Sequence, residues 1–311
     1  MARRVLLLIL LAELAGGLVI AWALADAWPR GGWPAGALLG LTCVLLVRIA
    51  ISGNNFRMAR RAGGPVPAAH RLGLAGGLRL FAGEFGASMR TSSWSMLRPR
   101  INLQIASNTA MPPVLLLHGY GCNGGYWAKL AALLSQRGIS WMPLDLEPLD
   151  AGIDDYATQI EAALGRLCAA TSQPRAVLIG HSMGGVAARA YLRLHGAQRV
   201  ARLITLGSPH NGTALAQLGP GLNARQMRRG APWLAELAAS ETPALRALIV
   251  SLWSHHDNIV SPQDSACLPG ARNVAWSGIG HVALGSHPRV LHFVLEEIAQ
   301  LSIVPAAHVT R

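Results

Sequence analysis

Charge is scarce in this chain, and nearly all of its positive charge comes from arginine. Asp, Glu, Lys and Arg make up 14% of the 311 residues, against roughly 25% in an average soluble protein. With 51% of the residues hydrophobic, that deficit points to membrane segments, an apolar surface, or both. Lys129 is the only lysine, so the formal net charge of +12 rests on arginine. The arginines are scattered apart from Arg57, Arg60 and Arg61, and no helix-turn-helix, zinc-finger or RNA-binding motif organises them. A nucleic-acid partner is therefore not expected. Arginine for lysine beside abundant Ala, Gly, Leu and Pro is more simply a coding bias. Metal-ligand spacing is missing as well. Cys43, Cys122, Cys168 and Cys267 form no CxxC pair and have no histidine partner, so neither a zinc site nor another cofactor is expected. Nothing requires a disulfide, and the redox compartment stays open. Internal repeats and low-complexity tracts are absent.

Long apolar runs are present, and both lie at the start. Val5 to Ala25 is about 21 mostly apolar residues, enough at about 1.5 Å each to cover a hydrocarbon core of roughly 30 Å. A loop from Asp26 to Gly32 follows, with Trp28 and Trp33 where interfacial aromatics sit. A second run spans 33–51, with Arg48 near its end, where its charge can snorkel. The reading is a transmembrane helical hairpin over 1–56. Arg3 and Arg4 precede it, Arg57, Arg60 and Arg61 follow it, and only Arg30 lies between. The positive-inside rule then places both ends, and the domain beyond, in the cytoplasm. A competing view is a signal peptide cleaved near Ala25, because Ala23-Leu24-Ala25 has a small-x-small pattern; that outcome would be periplasmic or secreted. The length of the run, the interrupting Glu13 and the second run weigh against it. Residues 57–111 read as a Gly- and Arg-rich connector, either a plain linker or partly helical and interfacial around Leu72 to Phe85.

After Pro113 short apolar strands alternate with amphipathic helices. Strands are expected at 114–117, 139–144, 176–179, 200–206, 248–253 and 273–276. Helices are expected at 127–136, 153–170, 186–194 and 290–301. This alternation predicts an α/β domain over 112–304, with a mostly parallel sheet covered by helices on both faces.

Gly180-His181-Ser182-Met183-Gly184-Gly185 sits between a buried strand and a helix. There a sharp turn would lift the Ser182 hydroxyl above the sheet, and side chains at 180 or 184 would collide with strand and helix. A serine hydroxyl is a weak nucleophile at neutral pH and needs a base. Where such a turn serves catalysis, an acid and then a histidine follow it in the chain. His281, in Gly278-Ile279-Gly280-His281, comes after the last strand, whereas His287 and His292 belong to the closing helix and His308 to a tail. Asp257 directly follows the 248–253 strand and would hold the His281 tautomer. Asp264 is the runner-up for that role. An oxyanion hole would use the N–H of Met183 and one from His118-Gly119-Tyr120-Gly121, with Tyr120 the candidate donor. His118 reads as an anchor for this loop, and His255 and His256 as loop residues.

From about Pro113 to Leu301 these motifs, together with the run Leu206-Gly207-Ser208-Pro209-His210-Asn211-Gly212-Thr213, resemble the bacterial lipase and esterase branch of the α/β-hydrolase superfamily. The resemblance implies hydrolysis of carboxylic, lipid or acyl esters through an acyl-enzyme; it does not cover the first hundred or so residues, whose hairpin places the expected location at the bacterial inner membrane. In triacylglycerol lipases a segment like 206–213 leads into a mobile cap, which implies a cap insertion over about 209–245. An ordinary packing helix is the alternative for its apolar 214–245 stretch. Related lipases often carry a structural calcium, but only Asp264 sits suitably here, so no metal is expected. Acyl transfer or thioester cleavage by the same triad stays open, as does a catalytically silent binding protein. Oligomeric state is not legible.

Overall fold

The computed structural model describes residues 1–27, 32–99, 102–107 and 111–301. Trp28, Arg30 and His308 lie outside them. Two helices, α1 (Ala2–Ala27) and α2 (Gly32–Ala62), run side by side as a hairpin. Within them Ala2–Ala23 and Trp33–Ala62 have mean hydropathies of 2.5 and 2.1, and both are long and apolar enough to cross a membrane. Their backbones meet at small residues. A Cβ on Gly40 would lie 2.3 Å from the Gly17 carbonyl oxygen, and one on Gly36 would lie 2.4 Å from that of Ala21. Glycine spaced four apart is the means by which apolar helices approach closely. Helix α2 continues beyond Ile51, so Arg57, Arg60 and Arg61 lie on its last turns, where positive charge suits the helix end.

A third helix, α3 (Leu74–Ser93), forms inside the expected connector. It is tied to the hairpin through Arg48, which pairs with Glu13 of α1 and donates to Ser93 Oγ at 2.9 Å. Both ends of the hairpin also rest on the following domain. The Met1 amino group pairs with Glu147, and the Ala59 carbonyl accepts from Ser261 Oγ at 2.7 Å.

That domain is built on six strands: β1 (Val114–Leu117), β2 (Trp141–Leu144), β3 (Ala176–His181), β4 (Val200–Leu206), β5 (Ile249–Ser254) and β6 (Arg272–Trp276). All are parallel, in the order β2-β1-β3-β4-β5-β6. The helices are α4 (Ala128–Gln136), α5 (Ile153–Thr171), α6 (Met183–His195), the short α7 (Leu222–Gln226), α8 (Pro232–Ala239) and α9 (Pro243–Ala247), and the closing α10 (Pro288–Leu301). Because side chains alternate across a strand, Leu115 and Leu178 face one core with Ile160, Leu164 and Val186. Val114 and Ile179 face the other with Leu130, Val294 and Ile298. Both cores are shielded, which is why β1 and β3 read as unbroken apolar runs. The chain places β2 on one side of β1 and β3 on the other. The loops leaving β1 and β3 therefore diverge, and they open a crevice at the carboxyl ends of the strands.

Within the insertion, Leu234 and Leu237 of α8 are buried in the core that contains α5 and α6. Arg189 of α6, fully buried, donates from Nε and Nη2 to the Glu241 carboxylate at 2.6 and 2.8 Å. The part beyond α8 is thus fastened, while Leu218 and Leu222 stand exposed in the part before it. Arg189→Ala should lower stability by about 3 kcal/mol, because Glu241 would stay buried with only Arg246 as a charged partner. Urea unfolding of the detergent-solubilised protein measures this, and an unchanged midpoint would assign the fastening to the apolar contacts alone.

Candidate active site

Strand β3 ends at His181 and helix α6 starts at Met183, leaving Ser182 alone to make the turn at φ 53° and ψ −121°. A non-glycine backbone in such a region costs on the order of 1–3 kcal/mol and persists only where its surroundings enforce it. Three glycines allow the enforcement. A Cβ on Gly180 would meet Gly185 Cα at 2.5 Å, one on Gly184 the Leu117 carbonyl oxygen at 2.3 Å, and one on Gly185 the Ser208 Oγ at 2.0 Å. Helix α6 can therefore begin directly against β1, β3 and the loop after β4. The Ser182 N–H donates to the Leu206 carbonyl at 2.9 Å, which seats the turn on β4.

Asp257 and His281 arrive from the loops after β5 and β6, and both are buried. His281 Nδ1–H donates to Asp257 Oδ2 at 2.8 Å, while Asp257 Oδ1 accepts the N–H groups of Ile259 and Val260, each at 2.8 Å. The main-chain N–H of His281 donates to Asn258 Oδ1 at 3.0 Å. This tautomer leaves Nε2 free to take a proton. Burial pushes the His281 pKa down, but the charge and hydrogen bond of Asp257, with the charge of Glu84, outweigh it and raise the pKa above 6.5. Gly207 after β4 leaves room for this pair, since a Cβ there would lie 3.0 Å from Asp257 Oδ2 and 3.2 Å from His281 Nδ1. His181, next to Ser182, donates from Nε2 to the His281 carbonyl at 3.2 Å, and the two rings are 4.5 Å apart. Ser182 and His281 are thus neighbours, although no hydrogen bond joins Ser182 Oγ to Nε2 among the described residues. Such contacts are often long without substrate and tighten when it binds.

The loop after β1 is fixed by His118. Its Nδ1–H donates to the Gly119 carbonyl at 2.9 Å and its Nε2 accepts from the Leu146 N–H at 2.9 Å. Burial lowers its pKa, so it anchors the loop as a neutral ring. A Cβ on Gly119 would lie 3.1 Å from Ser182 Cβ, so the loop crosses close over the serine. The N–H groups of Tyr120 and Met183 have no hydrogen-bond acceptor among the described residues. The Tyr120 hydroxyl donates to the Pro220 carbonyl at 2.7 Å, linking this loop to the insertion. The Met183 side chain is buried among the residues of the core that contains α5 and α6.

Asp264 is exposed on the turn Gln263–Ala266 and makes no bond to His281. No group of three or more His, Cys, Asp or Glu that could hold a metal ion occurs among the described residues. The 206–213 run braces the loop after β5. Thr213 Oγ1 donates to the Ile259 carbonyl at 2.7 Å and accepts from the Ser261 N–H at 3.1 Å, and Asn211 Nδ2 donates to the Cys267 carbonyl at 2.9 Å. Sequence reasoning missed Asn258, His181 as the neighbour of His281, and Glu84, a buried carboxylate that reaches the His281 loop from α3. Glu84 carries one signal: it is the sole acidic residue between Asp26 and Asp145.

A family model described as alpha/beta hydrolase fold matches residues 112–237. The fold is that of the α/β hydrolases. A triacylglycerol lipase of Pseudarthrobacter phenanthrenivorans is 31% identical over 112 residues, covering 33% of this chain and 35% of the relative. A pimeloyl-[acyl-carrier protein] methyl ester esterase of Vibrio campbellii is 32% identical over 107 residues, covering 34% of this chain and 41% of the relative. The chain thus spans about a third of the length of the curated lipases it matches, at 35% and 31%. Among solved structures, a mature Bacillus licheniformis lipase superposes with a TM-score of 0.55 at 19% identity, covering 63% of this chain and 94% of that one. An Aspergillus fumigatus lipase B gives 0.53 at 16%, covering 63% and 56%.

Asp257→Asn should drop the His281 pKa below the ordinary 6.5, because burial then outweighs what is left. Asp264→Asn should leave it where it is. An NMR titration of the His281 ring protons in the two variants checks both.

Proposed function

We propose that this chain is a serine hydrolase of carboxylic esters working through an acyl-enzyme on Ser182. The observation that carries the reading is a serine on a strained strand-to-helix turn, beside an imidazole whose Nδ1 is bonded to a buried carboxylate. His281 Nε2 takes the Ser182 proton as Oγ attacks the ester carbonyl. The N–H groups of Tyr120 and Met183 receive the oxyanion, each worth about 3 kcal/mol. Asp257 stabilises the imidazolium, which then protonates the leaving alcohol, and water repeats the steps on the acyl-enzyme. The relatives described as a triacylglycerol lipase and a methyl ester esterase support ester chemistry over amide chemistry.

In this reading the hairpin is a membrane anchor and the substrate a lipid or acyl ester. The anchoring contacts support it. Glu147 follows β2 and Ser261 follows β5, so the hairpin ends rest on loops at the same carboxyl edge of the sheet as Ser182. Exposed Leu8, Leu11, Val19, Trp22 and Leu41 give the hairpin an apolar outer surface, which suits lipid better than water. The arginine distribution supports a domain on the cytoplasmic side of a bacterial inner membrane.

Ser182→Ala should lower hydrolysis of p-nitrophenyl esters by about 10⁴-fold or more while leaving the circular dichroism unchanged. Wild-type activity in that variant would end the reading. In the wild type, kcat/KM should fall as the pH drops through the raised pKa of His281, because protonated Nε2 accepts no proton. A series of acyl lengths run beside acyl-CoA separates ester from thioester preference. Activity rising with chain length supports a lipid substrate, and activity on acetyl esters alone removes it.

A further inference from the structure

Glu84 belongs to α3, outside the parallel-sheet domain, yet it is only 2% exposed. Its Oε1 accepts from the Val282 N–H at 3.0 Å and its Oε2 from the Ala283 N–H at 2.9 Å. These are the two residues that follow His281. The carboxylate also lies against the residue before it, because a Cβ on Gly280 would meet Glu84 Oε2 at 2.5 Å. Beside the bonds of Asn258 and His181 to the His281 main chain, Tyr126 also supports this turn: its hydroxyl accepts from the Gly285 N–H at 2.9 Å and donates to the Val282 carbonyl at 3.2 Å.

We propose that Glu84 is the positioning residue for the catalytic base: it fixes the main chain around His281 so that the ring meets Ser182, and its charge favours the imidazolium. The proposal rests on the Ser182 hydrolase reading. Two converging N–H donors call for two acceptor oxygens, which a carboxylate supplies. An amide supplies one and turns its own N–H₂ against the second donor. The titratable groups around His281 are Asp257 from the loop after β5, His181 from β3 and Glu84 from α3, with Tyr126 from the loop after β1 stacked on His181. Burial holds His181 neutral by lowering its pKa and Tyr126 neutral by raising its own. Negative charge therefore reaches the imidazole from Asp257 and Glu84. Burial raises the Glu84 pKa, against which its two N–H bonds and His281 favour the carboxylate.

The same contacts give the N-terminal helices a part in the active site. Helix α3 is held to the hairpin by Arg48, and the end of α2 accepts from Ser261 in the acid loop. The base and acid loops are thus both braced from outside the sheet.

The test uses the full chain in detergent micelles, with Glu84→Gln, Glu84→Ala and Ser182→Ala measured beside the wild type. Expected for E84Q are an unchanged circular dichroism spectrum and KM within about twofold. Its kcat should be down about tenfold or more, since small misplacements of a catalytic group are costly. The acid limb of kcat/KM should move to lower pH, because losing the charge lowers the His281 pKa. E84A should show the same shift, and if it fails to fold, E84Q decides. Wild-type kcat and an unmoved limb in folded E84Q would overturn the proposal. So would a lower kcat with an unmoved limb, which marks a structural strut only. Full activity in S182A would instead bring down the hydrolase reading itself, which is a separate result.

Discussion

The chain leaves β3 and enters α6 on a single residue, and it does so because no side chain stands in the way. Gly180, Gly184 and Gly185 let the first turn of α6 press against β1, against β3 and against Ser208. With that contact made, Ser182 has nowhere to relax and keeps its positive φ. Helix α6 starts at the next residue, so Ser182 stands at the positive end of the helix dipole. The Gly119 loop and Gly207 complete the same close approach from either side. One larger residue at any of these positions would separate layers that otherwise touch.

Around that turn lie four buried histidines with different partners. His118, His181 and His210 are held by backbone, hydroxyl or guanidinium groups, and burial lowers the pKa of each. They serve as neutral struts. His210, for example, spans Arg189 and Thr205 through its two ring nitrogens. His281 is subject to the same burial, but it bonds Asp257 directly and has Glu84 nearby, and its pKa moves the other way. Desolvation alone disfavours the charged imidazole, whereas a carboxylate bonded to a desolvated imidazole restores its hold on a proton.

The N-terminal helices share in this arrangement. The Arg48–Glu13 pair is half-buried where α3 meets the hairpin, and pairing offsets the cost of charge in apolar surroundings. From there α3 reaches the His281 loop and the end of α2 reaches the Asp257 loop. The segment that reads as an anchor and a connector is in physical contact with the loops that carry Asp257 and His281.

Much of the fold was legible because its signals are local. Strands β1 and β4 fall where their apolar runs do. Helix α6 begins three residues earlier than its apolar spacing indicates, because Gly184 and Gly185 are poor helix formers whose reason for being there is packing. The positions of Ser182 and His281 followed from a turn motif and a loop after the last strand. Asp257 stood ahead of Asp264 in the sequence because it directly follows β5, but its bond to the buried imidazole and the exposure of Asp264 came only with the structure. The bonds from Val282 and Ala283 to Glu84 cross 198 and 199 positions of sequence, beyond the reach of any period or motif. By itself the sequence determined the strained serine turn, because the glycines that permit it are adjacent to it in the chain. Which carboxylates surround the base was decided only by tertiary structure, because burial and charge act through space.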